Sequence, residues 1–195
     1  MPAVRAPAIA FAPELLLAAR GTGEGIGAAI FDVDGVLTDG RLYIGETGEA
    51  MKAFSTLDGQ GIKLLAQGRI VPIVVSGRDS LAVRRRMAEL GVAHTAYGAA
   101  DKMAAAAALV DTLGLGWERV AAIGDDWPDL PILRRAAFAC APPGAHVEVR
   151  AAVCHVTAAA AGEGAAREFC DLLLVAAGRY ATLLGGPLFA LDGAR

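Results

Sequence analysis

The chain has 195 residues, a length that fits one domain with a substantial core. Hydrophobic residues make up 55% of it, a share inflated by alanine, and no apolar run approaches the roughly 18 residues of a membrane-spanning helix. The net charge of −3 and the pI of about 5.6 disfavour nucleic acid as a main partner. Three cysteines without C-x-x-C spacing argue against a disulfide or zinc framework and favour a reducing, cytoplasmic compartment.

The first 25 residues are predicted to be an N-terminal extension that carries one short helix. That helix spans 13–20, with a proline near its start and Gly21 as its stop. Prolines and a glutamate interrupt the apolar stretch, so it lacks the pattern of a signal peptide. The glycine-rich run 21–27 precedes a strand instead of joining a strand to a helix. A flexible linker is therefore favoured over a nucleotide-binding loop.

Two aspartates stand at the end of a predicted buried strand, 26–31. Asp32 and Asp34 follow this strand directly, and Gly35 gives the backbone the freedom to turn after them. Paired carboxylates at the end of a central strand are costly to bury without a cation. A divalent cation with oxygen ligands, such as Mg²⁺, would offset that cost. The alternative for these residues alone is a β-turn with solvated aspartates.

A β-hairpin is predicted at about 41–54. Two strand-like runs, 41–44 and 50–54, flank a turn-rich loop of five residues, 45–49. The hairpin is too small to be a lid domain. An isolated ribbon is marginally stable, so its apolar side chains are expected to be buried against neighbouring subunits. These side chains are Leu42, Tyr43, Ile44, Met51 and Phe54.

Beyond the hairpin, helices and strands alternate. The predicted order is a helix that opens at 58–61 and ends at Gly68, a strand 70–75, a helix capped by Asp79 or Ser80 that ends at Gly91, a strand 93–97, a helix 101–113, a strand 119–123, a helix 130–136, short edge strands 137–140 and 153–156, and a last helix 164–178. This alternation predicts βαβ units around a parallel sheet, and therefore an α/β fold. Ligands bind such sheets beyond the carboxyl ends of the strands.

Residues with reactive or charged side chains follow the carboxyl ends of the predicted core strands. Asp32 and Asp34 end the first strand, and Ser76 ends the second. Lys102 begins the helix after the third strand, and a pair of aspartates, 125–126, ends the fourth. Taken singly, each of these is typical of an ordinary turn or surface. Their combination in this order predicts one site for phosphoryl transfer.

This set supplies the positioning and charge stabilisation on which phosphoryl transfer depends. A carboxylate can attack phosphorus and form an acyl phosphate, which divides one hard step into two. Asp32, Asp125 and the backbone carbonyl of Asp34 would hold Mg²⁺. The Asp34 side chain would then protonate the leaving alkoxide and later deprotonate water. Three further groups would bind phosphate oxygens, namely Ser76, the Gly77 N–H and Lys102.

The ordered motifs D-x-D, S-G-R, K and G-D-D-x-x-D resemble those of the haloacid dehalogenase (HAD) superfamily. The resemblance implies a HAD-like (Rossmannoid) three-layer α/β/α sandwich with a central parallel sheet and a small β-hairpin in place of a cap domain. It also implies that Asp32 is the nucleophile and that Asp34 is the general acid and base. A phosphatase domain is expected at 26–180, followed by a C-terminal tail at 181–195.

Further motifs resemble one branch of that superfamily, the phosphatases of 3-deoxy-D-manno-octulosonate (KDO) 8-phosphate in lipopolysaccharide biosynthesis. The marks are 52–54, 57–62, 124–131 and 162–168, although Ala161 stands where the branch usually has glycine. The branch lacks a mobile cap and forms homotetramers with shared active sites. The substrate contacts that the resemblance implies are Asp34, Ser55, Thr56, Leu57, Asp58, Gly59, Lys63, Gly77, Arg78, Arg86 and Lys102.

Several alternatives are weighed against this assignment. A signalling receiver domain also places acidic residues, a Ser or Thr and a Lys around Mg²⁺, but in a different order along the chain. A non-catalytic HAD-like regulatory domain has often lost motif aspartates, whereas all are present here. A phosphatase of a nine-carbon 2-keto acid 9-phosphate, of the sialic-acid type, keeps the chemistry and stays open as an alternative. Neither a nucleic acid nor a membrane is expected as a partner.

Overall fold

The computed structural model describes residues 8–186, and the predictions for 1–7 and 187–195 lie outside the described residues. Its helices are α1 (Pro13–Arg20), α2 (Thr56–Gln67), α3 (Leu81–Leu90), α4 (Lys102–Thr112), α5 (Leu130–Arg135), α6 (Val147–Ala152), α7 (Ala165–Ala176) and α8 (Tyr180–Leu184). Its strands are β1 (Ala28–Phe31), β2 (Tyr43–Gly45), β3 (Gly48–Met51), β4 (Val71–Val75), β5 (His94–Ala96), β6 (Val120–Ile123), β7 (Phe138–Ala141) and β8 (His155–Val156). No helix within 8–186 is both long and apolar enough to cross a membrane.

The described residues form a parallel sheet with the strand order β5-β4-β1-β6-β7-β8. All four residues of β1 are buried, as its position between β4 and β6 requires. The chain first adds strands on one side of β1 and then crosses to the other side at β6. A doubly wound sheet binds ligands at the carboxyl edge where the strand order reverses, which is the edge formed here by β1 and β6.

Helices cover both faces of the sheet, because side chains along β1 alternate between two cores. Ala29 and Phe31 belong to the core under α2, α3 and α7, where the rings of Phe31 and Phe169 meet edge to face at 5.5 Å. Ala28 and Ile30 belong to the opposite core under α4, α5 and α6. The predicted three-layer α/β/α sandwich is confirmed.

The hairpin formed by β2 and β3 is confirmed, but its predicted five-residue loop was wrong. Gly45 pairs with Gly48, so the loop is the dipeptide 46–47. Gly48, directly after this loop, has a φ of +115°, a conformation that suits glycine. The prediction that 137–140 is an edge strand was also wrong, since β7 is buried between β6 and β8.

Two helices lie where the sequence pattern predicted none. α6 is only six residues long, and its cap is a histidine, His146, whose ring accepts a hydrogen bond from the Glu148 N–H. α8 falls in the segment expected to be a C-terminal tail, and its Tyr180 and Leu183 pack against the core. Its lack of fully buried residues explains why no amphipathic pattern marks it.

Candidate active site

The turn after β1 brings Asp32 into the carboxyl edge of the sheet. The Asp32 N–H continues the strand ladder by donating to the Ile123 carbonyl over 3.1 Å, and the side chain is almost fully buried. Gly35 then has a φ of +93°, and a side chain there would collide with the Asp125 carboxylate. Glycine is required at 35 for both reasons, because an L side chain meets conformational strain and a steric clash.

A second turn, after β6, brings the Asp129 carboxylate to the sheet edge, where the sequence predicted Asp126. The 3₁₀ turn Trp127–Asp129 folds Asp129 back onto the strand end, where its Oδ2 accepts from the Asp125 N–H over 3.1 Å. Asp129 is buried, whereas Asp126 is exposed. The prediction that Asp126 joins Asp32 and Asp125 at this edge was therefore wrong, and Asp129 occupies that place.

We call Asp32, Lys102, Asp125 and Asp129 the sheet-edge cluster. Oxygens of its three carboxylates lie within 4.8 Å of one another. The Lys102 Nζ donates to Asp32 Oδ1 over 2.6 Å and to Asp129 Oδ1 over 2.8 Å. Three carboxylates and one ammonium leave a formal charge of −2 in a largely buried site.

The electrostatics of the sheet-edge cluster favour a bound cation. Burial, together with the charge of Asp129, raises the pKa of Asp32 well above its ordinary value. Burial also raises the pKa of Asp125 to about 6. Burial alone would lower the pKa of Lys102, but Asp32 and Asp129 outweigh it and raise that pKa, so the ammonium persists. A hard divalent cation suits this all-oxygen donor set and would relieve the excess negative charge.

A second charged group surrounds Asp34 and is completed by the hairpin. We call Asp34, Glu49, Lys52 and Arg78 the hairpin cluster. The buried Lys52 ammonium donates to Asp34 Oδ1 and lies 3.2 Å from Glu49 Oε2. The Arg78 Nε lies 3.9 Å from Asp34 Oδ2, and its Nη2 lies 3.7 Å from Glu49 Oε2. Two carboxylates and two cations make this cluster formally neutral.

The end of β4 places the predicted phosphate-binding groups next to Lys102. Ser76 is buried, and its Oγ accepts a hydrogen bond from the Arg78 N–H over 3.2 Å. Gly77 is exposed, and a Cβ at that position would lie 3.7 Å from Lys102 Cε. The structure thus brings Ser76, Gly77 and Lys102 together at the sheet edge.

The predicted substrate contacts in α2 fall into two groups. Ser55 caps α2 by accepting from the N–H groups of Leu57 and Asp58, and Thr56, Leu57 and Lys63 are exposed. Asp58, by contrast, is buried against α7, where its Oδ1 accepts from the Arg167 N–H over 2.7 Å. The Asp58 side chain therefore caps α7, which contradicts its predicted contact with substrate.

Arg86 lies over the start of α2. A Cβ at Gly59 would collide with the Arg86 guanidinium, and the narrow crevice beneath it is lined by Phe54 and Ser55. Its ion pair among the described residues is with Glu89 of its own helix, at 3.3 Å. Arg86 therefore lies beside the start of α2 without joining either charged cluster.

Sequence reasoning missed three residues of this region. Asp129 belongs to the motif G-D-D-x-x-D, so its position in that motif could have found it. Lys52 begins the motif 52–54, but no charged-residue pattern links it to Asp34. Glu49 lies in the predicted hairpin loop, where a carboxylate is ordinarily solvated.

Comparisons with known proteins agree with this geometry. Residues 97–169 match the family described as haloacid dehalogenase-like hydrolase. The chain is 40% identical over 156 residues to the 3-deoxy-D-manno-octulosonate 8-phosphate phosphatase KdsC of Salmonella typhi, covering 80% of this chain and 83% of that protein.

Two solved structures are similar over most of their length. One is a probable YrbI family phosphatase from Pseudomonas syringae, with 44% identity, a TM-score of 0.83 and coverage of 88% of this chain and 96% of that chain. The other is the KDO 8-phosphate phosphatase of Moraxella catarrhalis in complex with magnesium, phosphate and KDO. It has 35% identity, a TM-score of 0.83 and coverage of 90% of this chain and 98% of that chain.

Proposed function

The chain belongs to the family of KDO 8-phosphate phosphatases within the HAD-like hydrolases, and from this premise we propose that it hydrolyses KDO 8-phosphate to KDO and phosphate. The reaction is Mg²⁺-dependent and passes through an aspartyl-phosphate on Asp32. The observation that carries the proposal is the sheet-edge cluster, in which a buried carboxylate nucleophile is held by the Lys102 ammonium at 2.6 Å. Oxygens of two further carboxylates, Asp125 and Asp129, lie within 4.8 Å of it.

Asp32 and Asp34 divide the covalent chemistry and the proton transfer between them. Lys102 holds Asp32 Oδ1, which leaves the other oxygen to attack phosphorus while the ester P–O bond breaks. Asp34 gives a proton to the departing sugar alkoxide. In the second step a water molecule attacks the aspartyl-phosphate, Asp34 takes the proton of that water, and phosphate leaves.

Asp32, Asp125 and the Asp34 backbone carbonyl would hold the Mg²⁺. When bound, this cation offsets the repulsion between an anionic nucleophile and an anionic phosphate. Ser76, the Gly77 N–H and Lys102 bind the phosphate oxygens that carry the developing charge. Their adjacency at the end of β4 supports these roles.

The carboxylate of the sugar needs cations other than Lys102, because two of the three Lys102 donors are taken by Asp32 and Asp129 and the third is assigned to phosphate. The candidates are Arg78, Arg86 and Lys63, together with the exposed segment 55–57. Arg78 belongs to the hairpin cluster and is half exposed, so a ligand can reach it. A guanidinium forms the paired hydrogen bonds that a carboxylate accepts.

Assembly into a homotetramer completes the proposal. The hairpin exposes Ile44 and Met51 by more than 60%, together with Leu42 and Tyr43. Phe54, which was expected to be exposed as well, instead packs partly against the core. An apolar two-stranded ribbon of this kind is stable when it is covered. Light scattering should therefore show a tetramer, and a fully active monomer would contradict this part of the proposal.

A cytoplasmic location belongs to the same proposal. All three cysteines are free thiols, two of them buried. This supports a reducing compartment, where thiols persist without pairing.

The proposed function is tested by phosphate release from a panel of esters. The panel contains KDO 8-phosphate, a nine-carbon 2-keto acid 9-phosphate, a neutral sugar phosphate and an aryl phosphate, each with Mg²⁺ and with excess chelator. We expect KDO 8-phosphate to give the highest kcat/KM and chelator to stop hydrolysis. A higher kcat/KM for the nine-carbon ester would transfer the assignment to that substrate. No release from any ester would favour the regulatory-domain alternative.

A further inference from the structure

The Asp34 carboxylate does not stand free at the sheet edge, because the hairpin reaches across and holds one of its oxygens. The Lys52 side chain is 1% exposed, and its ammonium donates to Asp34 Oδ1. A buried ammonium is costly unless it is paired and hydrogen-bonded. Lys52 meets this condition with two carboxylates, those of Asp34 and Glu49.

We propose that Lys52 is a positioning residue that fixes Asp34 so that the proton for the leaving group resides on Oδ2. The inference rests on the proposed function, in which Asp34 is the general acid. It gives the hairpin a role in proton transfer, in addition to the role in subunit assembly proposed for its apolar side chains.

Glu49 links Lys52 to Ser80, the residue directly before α3. The Ser80 Oγ donates to Glu49 Oε1, while Glu49 Oε2 faces Lys52 and Arg78. Burial would raise the pKa of Glu49, but hydrogen bonds from Ser80 and Lys52 outweigh burial and lower it. Glu49 is thus an anion with both oxygens in use, and it limits the positions that the Lys52 ammonium can take.

The hydrogen-bonding capacities of the groups determine where the proton sits. An ammonium donates hydrogen bonds and accepts none, so Oδ1 of Asp34 acts as an acceptor towards Lys52. Among residues 8–186, Oδ2 accepts no hydrogen bond within the usual distance, and the Arg78 Nε lies 3.9 Å from it. Protonation of Asp34 therefore places hydrogen on Oδ2. When the ester P–O bond breaks, this hydrogen passes to the alkoxide oxygen and Asp34 becomes a carboxylate, still held by Lys52.

The test exploits the difference between two leaving groups. A sugar alkoxide needs a proton to depart, whereas an aryl oxide departs without one, so a misplaced general acid slows only the first. The quantity compared is kcat/KM, which reports the steps up to formation of the aspartyl-phosphate and excludes the later attack by water. Lys52→Met should lower kcat/KM for KDO 8-phosphate by about a hundredfold, the lower end of typical general-acid contributions. The value for aryl phosphate should fall several times less.

Two control variants separate positioning from simple loss of charge or fold. Arg41→Gln removes a cation from the exposed start of the hairpin, where Arg41 is 78% exposed and pairs only with Asp39 among the described residues, so both esters should react as in the wild type. In an Asp34→Asn background, Lys52→Met should add no further ester-selective loss. If Lys52→Met does not fold, Lys52→Gln removes the charge with an amide in its place, and the same selective loss is expected.

The outcomes distinguish failure of the positioning role of Lys52 from failure of the proposed phosphatase function. Equal losses on both esters in Lys52→Met, or no loss on either, would overturn the positioning role and leave the phosphatase assignment intact. A selective loss that persisted in the Asp34→Asn background would also overturn it. A wild-type protein inactive on every ester would overturn the proposed function and this inference together.

Discussion

The sheet-edge cluster and the hairpin cluster are adjacent, since Asp32 and Asp34 are one residue apart, yet their charges balance differently. The first combines three carboxylates with Lys102 and retains a formal charge of −2. The second pairs two carboxylates with two cations and is neutral. The difference indicates that the first cluster is suited to bind an added cation. In the second cluster, Lys52 and Arg78 already neutralise the two carboxylates.

The two clusters also depend on different parts of the fold. The sheet-edge cluster stands on β1 and β6, which are fully buried strands paired in register. The hairpin cluster depends on β3 and on the chain that follows it, in a hairpin with little burial. Core packing therefore fixes Asp32, the proposed nucleophile, while Asp34, the proposed general acid, is held by ion pairs to a surface ribbon. Four variants test this contrast, from the largest expected effect to the smallest.

The largest effect is expected at Asp32, the proposed nucleophile of the sheet-edge cluster. Asp32→Asn should lower kcat/KM by more than about a thousandfold and leave the fold intact, because the isosteric amide cannot attack phosphorus. Asp126→Asn is the matched control, since Asp126 lies in the adjacent turn but is exposed, and a change below about fivefold is expected there. Phosphate release by purified variants measures both. Asp32→Asn activity above a few per cent of wild type would refute the assignment.

The next effect concerns the excess negative charge at the sheet edge when a chelator keeps the protein free of metal ions. The pKa of Asp125 is raised from 3.8 to about 6, so folding favours its neutral form. Its contribution to stability is present at low pH and is lost as pH rises from about 4 through about 6, which amounts to roughly 2–3 kcal/mol. The free energy of unfolding of wild type, measured relative to Asp125→Asn by chemical denaturation in chelator, should fall across this range.

Added Mg²⁺ should reverse that loss. At a hundredfold excess over its dissociation constant, a ligand of the folded state stabilises by about 2.7 kcal/mol, and Asp125→Asn should gain less. If the difference in free energy of unfolding between wild type and Asp125→Asn did not change with pH, the predicted rise in the Asp125 pKa would be wrong. Equal stabilisation of both by Mg²⁺ would remove Asp125 from the metal site.

A third variant tests Arg86, a residue outside both clusters that is proposed to bind the sugar carboxylate. Arg86 belongs to neither cluster and lies over Gly59. Loss of a charge-assisted hydrogen bond costs about 1.5–3 kcal/mol, so Arg86→Ala should lower kcat/KM for KDO 8-phosphate by roughly ten- to a hundredfold. It should affect an aryl phosphate much less, whereas Lys102→Ala should damage both. Equal losses on the two esters in Arg86→Ala would place Arg86 in phosphate binding or in the fold.

The smallest effect is expected at the far end of the hairpin cluster. Glu49→Gln should lower kcat/KM for KDO 8-phosphate by less than about tenfold, because Lys52 retains its contact with Asp34. Its effect on stability should depend on pH in the opposite sense to Asp125. The pKa of Glu49 is lowered from 4.5, so its contribution is present above pH 4.5 and is lost as pH falls through the lowered pKa. A stability difference that grew on acidification would contradict the ion-pair network.

The sequence by itself determined the parts of this protein that depend on local patterns. Helix α1 was predicted with its observed bounds, since proline at the start and Gly21 after the end act within a single turn. A turn that uses the backbone freedom of Gly35 was predicted in the same way, and Gly35 has a φ of +93°. Ala161, which stands where the branch usually has glycine, does not adopt a positive φ, because Arg69 is the one non-glycine residue among 8–186 that does.

Only the tertiary structure decided which side chains meet. Asp129 replaces Asp126 in the sheet-edge cluster because a 3₁₀ turn reverses the chain after β6. Asp58 faces the start of α7, 109 residues away in the chain, and not the substrate. Lys52 reaches Asp34 across 18 residues because the hairpin folds back over the first motif. Strand and turn signals act over a few residues, whereas the partner of a buried charge depends on how whole elements pack, which no local pattern encodes.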